Sequence, residues 1–130
     1  MSLNEMDCIV LEDALVDLLA SFHENATKVT CVPGNVITQH IFSIASARKK
    51  LKDIRENQTQ DFSLQELKVM YWAVFDLREA TQHFLEITSL SDPDHNTAVE
   101  TQRICNRLIR DFASQFSKGG IDIHKTFDMI

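Results

Sequence analysis

Apolar residues recur every three or four positions along most of this chain, which is the period of one helix face. Cys8, Leu11, Leu15, Leu18 and Phe22 carry that period first, with Ile9, Val16 and Leu19 widening the stripe; they predict a helix over about residues 4–25. Ile37, Ile41, Ile44, Leu51 and Ile54 carry a second helix, with Asn35 as its N-cap. It ends in the cations Arg48, Lys49, Lys50, Lys52 and Arg55, where the helix dipole favours positive charge. Ser63, Leu64, Gln65 and Glu66 match a capping box and open a third helix that runs to about residue 89. Residues 69–75 within it are apolar on nearly every side, the mark of the most buried helix of a domain. Asp92 before Pro93 suits the N-cap and first position of a fourth helix. Cys105, Leu108, Ile109, Phe112 and Phe116 line its inner face, and Gly119-Gly120 stops it after Lys118.

Two stretches break the helical period. Residues 28–32 are rich in β-branched side chains and precede Pro33-Gly34, so they read as a short extended segment and a turn. The tail, residues 121–130, alternates: extended, it would place Ile121, Ile123, Phe127 and Met129 on one side. The expected fold is all-α, an antiparallel four-helix bundle with these two extended additions, forming a single domain over residues 1–130. Composition agrees. Three Gly and two Pro in 130 residues are too few for the turns of an all-β domain, and no glycine-rich phosphate cradle can be built from them.

Thirteen basic residues against nineteen acidic give a net charge of −6, which disfavours non-specific attraction to nucleic acid or an anionic membrane. No apolar run approaches bilayer length. Cys8, Cys31 and Cys105 are odd in number and far apart, so a disulfide framework is not expected and a reducing, cytoplasmic setting is.

Several constellations could carry chemistry. A hairpin of the second and third helices turning about residues 60–62 would bring His40 and His83 to one height. Glu79, His83 and Glu86 share a helix face with Asp76, and with His40 they form a candidate metal set of imidazoles and carboxylates. Arg103, Arg107 and Arg110 share a face of the fourth helix and form a candidate anion patch. His40 with Ile41-Phe42-Ser43-Ile44 is similar to the histidine helix of phosphotransfer domains, without the Lys-Gly that follows the histidine there.

Arg78 and His83 have the R-x4-H spacing, and on this motif the chain resembles HEPN-family ribonucleases, small helical domains that cleave RNA. The resemblance implies Arg78 as phosphate stabiliser and His83 as the group acting on the ribose hydroxyl or leaving oxygen. Glu79 and Leu85 depart from the residues usual around that motif. The reading the residues favour is different: a small non-enzymatic protein, regulatory or adaptor-like, that works by protein–protein contact and self-associates, with no cofactor. Tyr71, Trp72 and Phe75, and the apolar side of the tail at Ile121, Ile123, Phe127 and Met129, are its expected interaction surface.

Overall fold

The computed structural model describes residues 2–25 and 34–120. It is all-α: α1 spans Glu5–Asn25, α2 Gly34–Arg55, α3 Leu64–Ile87 and α4 His95–Lys118, with no strand among the described residues. No helix among them is long and apolar enough to cross a membrane. The expected extended segment at 28–32 and tail at 121–130 lie outside the described residues.

Local chemistry sets the helix ends. At α1, Asn4 Oδ1 accepts from the Asp7 N–H (2.8 Å) while Asp7 Oδ2 accepts from the Asn4 N–H (3.1 Å), a reciprocal cap with Asp at the third position. At α3, Ser63 Oγ accepts from the Glu66 N–H and Glu66 Oε1 from the Ser63 N–H, so the expected capping box is formed. α2 ends with Asn57 in the left-handed region at φ 65°, where Asn substitutes for the usual glycine. Gln58 N–H reaches back to Asp53 O and Asn57 N–H to Ile54 O, satisfying carbonyls that the helix end would leave open. α4 starts later than Asp92-Pro93 suggests. Asp92 Oδ1 accepts from the Asp94 N–H instead, an Asx turn that delays the helix until His95.

α3 packs against all three other helices, as its apolar middle predicts. The largest fully buried side chains come from every helix: Leu11 and Leu15, Ile44 and Leu51, Met70, and Phe112. Tyr71 is buried too, its ring edge-on to Phe112 and Phe116 at 6.5 and 6.2 Å and stacked on Phe75 at 6.4 Å. Offset and edge-on aromatic pairs of this kind add about 0.5–1.5 kcal/mol each beyond the area they bury.

Neighbouring helices run antiparallel. Phe22 meets His40 while Glu12 meets Arg55; His40 meets Trp72 while Lys50 meets Glu66; Tyr71 meets Phe116 while Gln82 meets Gln102. The α2–α3 register differs from that of a hairpin centred at residues 60–62. The chain reverses at Asn57, and the following residues then fold back along α2, held by Lys50 Nζ on Asp61 O (2.7 Å) and Gln60 Nε2 on Asp53 Oδ2 (3.0 Å). α3 therefore begins level with the last turns of α2, and His40 lies opposite Trp72 rather than His83.

Candidate interaction groove

α1 packs against α3. Its Phe22 touches Trp72 at 5.0 Å, while its N-terminal half, from Val10 to Asp17, shares a groove with Leu77, Thr81 and Phe84. Moving toward the start of α1 thus moves toward the end of α3. α1 and α4 are joined near one end by the ion pair of buried Asp7 with Arg107, which also reaches Asp111 at 3.6 Å. α1, α3 and α4 together line a groove of about 550 Å³.

The floor and sides are apolar at Val10, Val16, Leu77, Phe84 and Ala98, with hydroxyls at Thr81, Thr97 and Thr101. Asp13, Asp17 and Asp94 complete the lining, which contains no cation among the described residues. None of the three aspartates has an ion-pair partner among the described residues. Val16 is 45 % exposed although its position extends the apolar stripe of α1. A second recess of about 220 Å³ adjoins the groove, sharing Asp17 and Leu77 and walled by Ala14, Leu18, Ala73 and Ala80. Asp76 stands at its edge. Partial desolvation and then the nearby Glu79 carboxylate raise the Asp76 pKa against a hydrogen bond from Trp72.

The residues singled out by sequence are placed elsewhere, and mostly apart. His40 is half-buried, stacked on Phe22 at 5.6 Å and edge-on to Trp72 at 6.0 Å. Burial, then the Lys68 ammonium, lower its pKa, and its Nε2 has no hydrogen-bond partner among the described residues. His83 is exposed. It lies eleven residues, about 16 Å of helix rise, beyond the Trp72 that His40 touches. Glu86 is exposed and accepts from Gln82 at 3.0 Å, and Glu79 pairs with Arg78 at 3.0 Å. No group of three or more His, Cys, Asp or Glu among the described residues is gathered as a metal would require.

Arg78 lies over the Phe75 ring at 4.7 Å and, with Glu79, Gln82, Gln102 and Asn106, lines a shallow depression of about 290 Å³ that His83 does not line. Arg103 pairs with Glu100 and Arg107 with Asp7, so of the candidate anion patch Arg110 alone has no ion-pair partner among the described residues. Of the expected interaction surface, Tyr71 is in the core, Trp72 and Phe75 are half-buried in aromatic contacts, and Ile121, Ile123, Phe127 and Met129 lie outside the described residues.

No protein-family model, no curated protein and no solved structure matches the chain. The resemblance to HEPN ribonucleases accordingly stands on its six residues, and their geometry puts Arg78 against Glu79 rather than beside His83.

Sequence reasoning missed the groove residues as a group. Asp13 and Asp17 read as charges that suit the N-terminal half of a helix, and Val16 as part of the core stripe. The available signal was the run Asp13, Val16, Asp17: acids flanking an apolar residue on the border of the buried face.

Proposed function

We propose that this chain is a non-enzymatic, adaptor-like interaction protein that seats an apolar segment of a partner between α1, α3 and α4. The observation that carries the reading is the groove itself: an apolar floor open to solvent, beside Val16 at 45 % exposure. Concave apolar sites with a few placed polar groups are the usual seats of ligands and peptide segments. Self-association, expected from the α3 aromatics and the tail, loses its first support because those aromatics pack within the chain. The free, buried Cys8 and Cys105 suit a reducing compartment such as the cytoplasm.

Selection of peptides from an unbiased display library against the full chain tests this role. Binders should lose their grip on a Val16→Arg variant that keeps the wild-type circular dichroism and melting temperature. Selection that returns only binders indifferent to Val16→Arg would refute the groove as the working surface.

A further inference from the structure

Resting on that reading, we propose that the occupant is a cationic amphipathic helix of about three turns, supplied by a different protein. Three features of the groove specify it. The first is length. The groove and its adjoining recess follow α3 from Ala73 to Phe84, eleven residues or about 16 Å of rise, which a helix of about three turns spans. The second is relief. Ala14, Ala73, Ala80 and Ala98 keep the walls low, so a helix can lie deep enough to put side chains at three- and four-residue spacing on Leu77 and Phe84. The third is charge. Asp13, Asp17 and Asp94 line the groove and Asp76 the recess, while neither lining includes a Lys or Arg among the described residues. Lysines or arginines flanking the apolar anchors of the incoming helix would meet these carboxylates.

The other occupants fit less well. The chain's own residues 121–130 include two aspartates and one lysine, which would add negative charge to a negative site. A second copy could offer the exposed face of α2, with Phe42 at 69 % exposure and the exposed Arg48, Lys49 and Lys52. That contact would join different surfaces of two copies, so it would build a ring or an open filament, which makes a separate protein the simpler occupant.

The test uses the full chain with isotope-labelled backbone amides and three synthetic helical peptides. All three carry leucines at three- and four-residue spacing; the flanking positions are lysine, glutamine or glutamate. The lysine peptide should move the amides of Val16, Thr81 and Thr101 and bind about tenfold more tightly than the glutamine peptide, with the glutamate peptide weakest. An Asp13→Asn/Asp17→Asn variant should lose about tenfold for the lysine peptide and keep its affinity for the glutamine peptide. Equal affinity for all three peptides at the groove would overturn the cationic occupant and leave the interaction role standing. Failure of every peptide to move a groove amide would overturn both. Concentration-dependent shifts of the same amides in the chain alone would overturn the separate partner in favour of a second copy.

Discussion

Replacing Glu66 with Gln should destabilise the fold by about 2 kcal/mol at neutral pH, and the loss should fade in acid. Glu66 is 3 % exposed and accepts from Lys50 Nζ at 2.7 Å, Ser46 Oγ at 2.6 Å and the Ser63 N–H at 2.7 Å. Gln is nearly isosteric but has a single oxygen. In the place of Oε1 it can keep both the Ser63 N–H and Lys50 Nζ, but its amide group then replaces the oxygen that accepts from Ser46 Oγ, and Lys50 loses the negative charge it pairs with. A hydrogen bond to a charged group contributes about 1.5–3 kcal/mol. Lys50 keeps 28 % of its side chain exposed and can turn to water, which holds the expected loss near the lower part of that range. For a chain of this length that is a fall of roughly 6–10 °C in Tm. Burial raises the Glu66 pKa, but the bonds from Lys50, Ser46 and Ser63 outweigh it and hold the pKa below its ordinary 4.5. A carboxylate depressed in the folded state stabilises fully above its unfolded pKa and loses that contribution as pH falls through the folded value. Urea titrations of wild type and Glu66→Gln should therefore differ most near pH 7 and converge as pH falls below about 4.5. A difference under about 0.5 kcal/mol at pH 7, or one that stays constant into acid, would refute the reasoning.

Three further outcomes follow from the geometry. His40→Phe should make stability less pH-dependent between pH 7 and 5: the lowered His40 pKa favours the neutral ring, so wild type loses stability as pH falls from its ordinary 6.5 through the folded value; thermal melts across that interval that stay parallel would contradict this. Arg107→Ala should cost about 2–4 kcal/mol in denaturant titrations, because Asp7, 1 % exposed, would stay buried without its cation, and a smaller loss for Arg107→Ala than for the exposed-site Arg110→Ala would contradict the pairing. In a Cys31→Ser background, Cys8 and Cys105 should resist a disulfide reagent at pH 8 until the chain is unfolded, since burial above all, aided at Cys8 by Glu12 and Asp7, pushes both thiols up to about 11; immediate labelling of the native protein would contradict their placement.

The helices were legible because each signals itself locally. A one-face period in α1 and α4, the Ser63 box and the polar break after Arg55 are all contained within a few turns. The tight reversal at Asn57 was legible only as a polar stretch, because Asn in the left-handed region does the work a reader seeks from glycine. What failed to show in sequence depends on contacts between distant residues. The α2–α3 register is set by Lys50 on the Asp61 carbonyl and Gln60 on Asp53, and these decide that His40 meets Trp72. The aromatic surplus of α3 looked like an outer surface when counted against one bundle face. α3 instead has neighbours on three sides, and Tyr71 is spent on Phe112 and Phe116.

The same distinction explains why the net charge of −6 gave so little away. Some acids on the chain hold it together: Asp7 with Arg107, Glu12 with Arg55, Glu66 with Lys50, each joining two helices. Others, Asp13, Asp17 and Asp94, line one concavity with no ion-pair partner among the described residues. In sequence Asp7, Glu12, Asp13 and Asp17 form one uninterrupted acidic gradient along α1. Folding divides it by helix face: Asp7 meets Arg107 of α4 and Glu12 meets Arg55 of α2, while Asp13 and Asp17, four residues apart, turn together to the groove. The groove therefore joins an apolar floor to carboxylates that have no ion-pair partner among the described residues, and a partner that satisfies one must address the other.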